Sequence, residues 1–214
     1  MYLPSHYRED STSKIHTLIQ TNPLATLVLN SPDGLIANHI PMVLQDGSSP
    51  DGFGTLQGHV ARGNALSKLE HPIAALAIFH GPQAYITPNW YPEKRSTGKV
   101  VPTWNYVVVH VHGILHTVDD PPWLLEHLTM LTSMQEKNQP DPWQMEDAPP
   151  EYMDGMVRAV MGVELTIQRL EGKWKASQNR PETARRALVE GLRNTGKAGE
   201  IAMAEIMESG LEKN

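Results

Sequence analysis

Arg62 stands where a strand, GHV, gives way to a helical start, ARGNALSKL. Exposed backbone amides at a helix start and a nearby guanidinium together suit an anion such as phosphate. The plainer alternative is a strand-to-helix turn with a solvated arginine. A second concentration lies between Phe79 and Gly113, where Trp90, Tyr91, Trp104, Asn105 and Tyr106 crowd together as a loop meets a strand. From Val100 onward the side chains alternate. Thr103, Asn105, Val107, Val109 and Val111 share one face, which becomes apolar after Asn105, while Trp104, Tyr106, Val108, His110 and His112 share the other. Aromatic bodies with polar tips suit a ligand pocket or a subunit interface, with a packed hydrophobic corner as the alternative.

A third group, Gln178, Asn179 and Arg180, is a run of donors in which Ser177 or Asn179 also fits a helix cap, with Pro181 at the first helical position. His110 and His112 have a metal-ligand spacing, but Gly113, Ile114 and Leu115 follow where a third ligand is needed, so no metal is expected. His39 and His59 are the better pocket candidates, lying on strands, whereas His6, His71, His80, His116 and His127 read as surface or capping residues. The chain has no G-x-S-x-G, P-loop or HExxH, and the glycines of GFGTLQG fall in a turn and a strand rather than before a helix.

These residues need a scaffold. Asp10 or Ser11 caps a short helix with Ile15, Leu18 and Ile19 on one face, ended by Asn22 and Pro23. LATLVLN and LIANHIPMVL form a hairpin about a P-D-G turn, FGTLQGHV is a strand, and a short helix follows, closed by His71 and Pro72. IAALAIF is a buried strand that pairs with QAYIT across a turn at Gly81 and Pro82, and VELTIQRLEGKWKAS reads as a hairpin turning at Glu171 and Gly172. Asp119 or Asp120 caps a helix with Leu124, Leu125, Leu128 and Leu131 on one face, and another short helix runs from about Met153 to Val160. Beyond Pro181 the chain is helical, with a break near Asn194 to Gly196. Strands joined by short turns suggest a closed antiparallel barrel, a mainly β fold with α (α+β).

A chain of 214 residues is long enough to bury a real core, and its net charge of -6 provides no broad footprint for nucleic acid. Around the C-terminal break Arg180, Arg185, Arg186, Arg193 and Lys197 are locally basic, but Glu182, Glu190, Glu200, Glu205, Glu208 and Glu212 interleave or follow, the pattern of a solvated face. The absence of cysteine fits a reducing cytoplasm, and no stretch is apolar enough to span a bilayer.

The strings MYLPSHY, GTLQGHVARGN, GPQAYITPNWYP, KVVPTWNYVVVHVHG and ASQNRP, in that order, resemble the PaiB-type FMN-binding proteins, also called negative transcriptional regulators. The resemblance covers nearly the whole chain. It implies an FMN-binding split β-barrel over 1–180, with peripheral helices and a C-terminal helical extension over 181–214 packed on it as one structural unit. It carries contacts with the FMN phosphate and ribityl chain onto His59, Arg62 and Asn64. Thr103 and Asn105 then reach polar flavin atoms and Trp104 offers a flat apolar surface, matching a ring with a hydrophobic body and a polar edge. Lys99 or Arg95 balances the phosphate charge, or is a solvated loop cation. Gln178 and Arg180 approach the cofactor, across a homodimer interface of the kind such folds share. A regulator that contacts DNA is implied by resemblance alone. The alternatives are a flavin-dependent oxidoreductase on a small planar substrate, with Trp90 and Tyr91 in its lid, and a haem-binding split barrel.

Overall fold

The computed structural model describes residues 1–47, 52–69 and 72–211; the expected helix end at His71 and the acid Glu212 lie outside these residues. In chain order the elements are β1 (Arg8–Glu9), α1 (Thr12–Thr21), β2 (Leu24–Ser31), β3 (Gly34–Pro41), β4 (Val43–Gln45), β5 (Thr55–Ala61), β6 (Ile73–Ile86), α2 (Glu93–Ser96), β7 (Thr103–Val118), α3 (Pro121–Glu136), α4 (Pro150–Ala159), β8 (Val160–Lys175), α5 (Glu182–Asn194) and α6 (Ala198–Ser209). The strands form one eight-stranded sheet in the order β3-β2-β6-β7-β8-β5-β4, with β1 pairing β8 off that path. Pairings β1–β8, β2–β3, β2–β6, β4–β5 and β5–β8 are antiparallel.

The closed barrel expected from the turn spacing is therefore corrected: the ladder ends at β3 and β4. Only Met42 separates these two strands, so β4 leaves from the end of β3 instead of returning beside it, and its three residues pair with β5. Two expected turns are also absent. β6 runs unbroken through Gly81 and Pro82, and β8 through Glu171 and Gly172. In both places glycine serves close packing. A Cβ on Gly81 would lie 2.7 Å from Leu18 Cδ1 and 3.1 Å from Val107 Cβ, and one on Gly172 would lie 2.9 Å from the Glu9 carbonyl oxygen.

Two compact units emerge, each discontinuous in sequence: residues 1–18, 80–110 and 171–214 form the first, and 19–79 and 111–170 the second. In the second, β2 and β3 pair from Leu24↔Pro41 to Ser31↔Gly34, and the expected P-D-G turn is present with Gly34 at φ +112°. Alternation buries Ala25, Leu27 and Leu29 on β2, Leu56 and Val60 on β5, and Val163, Leu165 and Ile167 on β8. Asp120 caps α3, its carboxylate accepting from the Trp123 amide, and the first turn holds Pro121 and Pro122. The inward face of α3 differs from the expected leucine stripe. Leu124 and His127 are buried and Leu125 is 48% exposed, because residues three apart share a face and adjacent ones do not.

In the first unit, α5 and α6 pack together through Leu188, Leu192, Met203 and Met207 in a core that also takes Ile86 and Tyr91. The break between these helices falls at Gly196, φ +69°, as expected. Ser177, expected as a helix cap, instead adopts φ +59°, and Pro181 occupies the cap position itself. Trp90 lies flat against α5: a Cβ on Gly191 would sit 2.4 Å from Trp90 Cδ2. Gly191→Ala should accordingly cost about 1–3 kcal/mol of unfolding free energy, measured by urea titration; an unchanged midpoint would mean that Trp90 is not held there.

Candidate cofactor site

In the first unit the outward face of β7 and the end of β8 bring aromatic rings and cations together. Trp104 is 48% exposed, its indole N–H donates to Gln83 Oε1 at 3.1 Å, and the Tyr85 ring lies 6.0 Å away, tilted. Lys173 and Lys175, two residues apart on β8, share a face. Lys175 Nζ donates to Thr103 Oγ1 at 2.7 Å and to the Trp104 carbonyl at 2.6 Å. Lys173 Nζ donates to the Tyr2 carbonyl at 3.0 Å. Both ammonium groups approach the Tyr106 ring, at 5.2 Å for Lys173 and 5.9 Å for Lys175.

Among the described residues no carboxylate pairs with either ammonium. Lys173 is only 8% exposed, and a buried cation without an opposite charge is costly. Burial lowers the Lys175 pKa from its ordinary value; Tyr106 opposes that shift and Lys173 adds to it. The pair forms an electropositive, partly dry surface bounded by aromatic rings.

Other expected residues in this unit are held by the protein itself. Asn105 is fully buried, and its amide exchanges hydrogen bonds with the Ser177 hydroxyl at 3.0 and 3.1 Å. That bond ties β7 to the turn after β8 and accounts for the left-handed backbone at Ser177. Gln178 closes the same turn, accepting from the Ala176 amide at 2.8 Å and donating to the Trp174 carbonyl. Arg180 stacks over Tyr91 at 5.4 Å, while Lys99 is exposed. Beside Tyr91 a cavity of about 770 Å³ is lined by Asn89, Trp90, Pro92, Lys94 and Arg95.

His59, Arg62 and Asn64 belong to the second unit. The guanidinium of Arg62 pairs bidentately with Asp119 and also donates to the Arg158 carbonyl at 2.6 Å. This pairing holds the Asp119 carboxyl below its usual range. The helix expected to begin here is a 3-10 turn over Ala65–Lys68, too short to build an appreciable dipole. Asn64 caps it, accepting from the Leu66 amide, and donates to Asn38 Oδ1 at 2.8 Å.

His59 Nδ1 lies 3.1 Å from Nε2 of His127, which is 1% exposed and stacks on Trp123 at 5.3 Å. Burial and the neighbouring His59 push His127 down to about 4, and burial alone lowers His59. His127 is neither the surface nor the capping residue that the sequence suggests, since α3 turns it inward in step with Leu124. Its position three residues after a buried leucine is the signal that would have found it. Lys173 and Lys175 were also missed; their alternate spacing on one face of a strand was the available sign.

The solved structures most like this one include the flavocytochrome Anf3 from Azotobacter vinelandii, with a TM-score of 0.60 at 12% identity over 78% of this chain and 69% of that one. Another is an FAD and heme binding protein from Mycobacterium smegmatis, with a TM-score of 0.57 at 16% identity over 86% and 80%. Likeness at such identity establishes the fold alone, a split barrel. The family described as "Putative FMN-binding domain" matches residues 1–169, and this chain belongs to it. FMN is its cofactor. An uncharacterized protein of Emericella nidulans is 32% identical over all of this chain and 99% of its own length. The Bacillus subtilis protein named "Protease synthase and sporulation protein PAI 2" is 29% identical over 100% of this chain and 99% of its own.

The histidine pair has a measurable consequence. His127 is neutral in the folded protein down to about pH 4, whereas in the unfolded chain it binds a proton near its ordinary 6.5. Stability is therefore complete above about pH 6.5 and falls as the pH drops toward 4, by up to about 1.4 kcal/mol per pH unit for one such group. Urea unfolding from pH 7.5 to 4.5 should show this slope, and His127→Asn should reduce it; an equal slope in both proteins would refute the assignment.

Proposed function

We propose that the protein holds FMN in the first unit, with the phosphate on Lys173 and Lys175 and the isoalloxazine ring against Trp104, and that it acts through the redox state of that flavin. The observation that carries this reading is the lysine pair converging on Tyr106 with no carboxylate among its described contacts. A phosphate offers the opposite charge that a nearly buried ammonium requires. Thr103 and Gln83 present polar atoms beside the exposed indole, matching the polar edge of the ring. Lys99 and Arg180 border the cofactor from the loop side. Asn105 and Gln178 act by fixing the turn that carries Lys175, and their amides remain bonded within the protein. Arg62 would have to exchange Asp119 for a phosphate, so it serves as a strap on β5, with Asn64 capping the 3-10 turn that follows and His59 as the partner of His127. When bound, FMN supplies one- and two-electron chemistry; the chain supplies charge, stacking surface and orientation.

The resemblance to the PaiB-type proteins, with the full-length likeness to a Bacillus protein named for protease synthesis and sporulation, suggests a second reading, a role in controlling gene expression. We propose that such a role follows the flavin-bound state of a cytoplasmic homodimer, and that α5 and α6 do not read DNA. Of their cations, Arg186 pairs with Glu182, Arg193 with Glu208 and Lys197 with Glu200, and Arg185 is buried, which leaves little free charge for phosphates. Among the described residues no helix is long and apolar enough to cross a membrane.

Comparison of FMN with riboflavin, which lacks the phosphate, tests the assignment. Lys175→Ala and Lys173→Ala should each weaken FMN binding roughly tenfold or more, as expected for a lost hydrogen bond to a charged group, and leave riboflavin binding nearly unchanged. Trp104→Ala should weaken both ligands, read by quenching of flavin fluorescence. An FMN-to-riboflavin affinity ratio unmoved by either lysine substitution would overturn it.

A further inference from the structure

The second unit contains a cavity that the flavin reading does not use. It lies where α3 packs on the sheet, has a volume of about 330 Å³, and is lined by Gln45 (β4), Thr55 and Gln57 (β5), Glu164 (β8), and Trp123, Glu126, His127 and Met130 (α3). A helix resting on a sheet ordinarily buries apolar side chains on both sides of the seam. This seam instead carries two amides, a hydroxyl, two carboxylates and an imidazole.

Strand alternation explains how they gather. Leu56, Gly58 and Val60 turn to the core, so Thr55, Gln57 and His59 must face α3, and the β5–β8 register sets Gln57 directly across from Glu164. Gln57 Nε2 donates to Glu164 Oε2 at 2.9 Å, and Gln45 Nε2 donates to Met130 Sδ at 2.7 Å. The lining thus has two negative groups and no lysine or arginine.

A second observation is independent of those acids. His127 is a wall of this cavity and is 1% exposed, and its Nδ1 has no hydrogen-bond partner. An unsatisfied buried nitrogen costs about 1–3 kcal/mol. Nε2 of the same ring is taken up by His59 Nδ1. When His127 donates through Nε2, its Nδ1 is a bare acceptor suited to an incoming N–H. The Trp123 ring that stacks on it is seated by Gly162, where a Cβ would come within 2.4 Å of Cζ3.

We propose that this seam is a second binding site, for a small flat organic cation of the amidinium or guanidinium class. Its N–H groups are taken by Glu164, Glu126 and His127 Nδ1, and its body lies against Trp123 and Met130. A cavity of this size falls at the lower end of the range for small-ligand sites. Planar N–H donors match carboxylate geometry bidentately, which an alkyl ammonium does not. An anion is disfavoured by the two carboxylates, and a neutral ligand would leave both without a counter-charge.

The full-length, flavin-loaded protein provides the test, with benzamidine as the probe and benzoate and benzyl alcohol as anionic and neutral analogues of similar shape. Calorimetric titration should show saturable one-site binding of benzamidine and none of the other two. Glu164→Gln should weaken it roughly tenfold, as loss of a charged partner implies, with the flavin content unchanged. Glu126→Gln, at an exposed position, should weaken it as well. The Trp123 indole resonance in a proton–nitrogen spectrum should move during the titration. Absence of benzamidine binding, equal binding by wild type and both variants, or an unmoved Trp123 resonance would each overturn the proposal.

Discussion

Two lysines on one face of β8, meeting over Tyr106 with no acid among their described partners, are the constraint around which the first unit is arranged. Holding a nearly buried ammonium without a counter-charge is unfavourable, so the surroundings supply what partial compensation they can: the carbonyls of Tyr2 and Trp104, the Thr103 hydroxyl and an aromatic face. Each compensating group must itself be fixed. Pairing of Arg8 with Lys173 fixes the N-terminal segment against β8, and the Asn105–Ser177 bond fixes the turn that follows Lys175. The positive surface is an outcome of backbone architecture as much as of side-chain choice.

The second unit solves a different problem. There several polar groups are satisfied within the protein: Arg62 is clamped to Asp119, Gln57 donates to Glu164, and burial keeps His127 neutral above about pH 4. Only one buried side-chain nitrogen on the described α3–sheet seam is left without a hydrogen-bond partner. Polar groups at such a seam require hydrogen bonds or a guest to offset their desolvation, and both are relevant here.

The same residue types do opposite work in different settings. Glycine was read as punctuation at Gly81 and Gly172, yet at both it lets one strand pass close to a neighbour, and β6 and β8 run on. Histidine at position 127, which looks polar and exposed in sequence, becomes a buried wall of a polar cavity because α3 turns it inward. Arginine at position 62 looks like an anion hook but finds an internal carboxylate first. In each instance a non-local partner overrode the local expectation.

By itself the sequence determined the alternation of β7, the α5–α6 break and the family with its FMN cofactor, and narrowed the cap of α3 to Asp119 or Asp120, because those depend on nearest-neighbour periodicity and on contiguous motifs. Asn105 and Trp104 were legible as special but not in their roles: which is locked in the core and which faces outward follows from the partner Ser177, seventy-two positions away. Tertiary structure alone decided that the ladder stays open at β3 and β4, that Lys173 and Lys175 converge on Tyr106, and that His127 meets His59. These are contacts between residues far apart in the chain, set by strand register and by the seating of α3, and no local pattern encodes either.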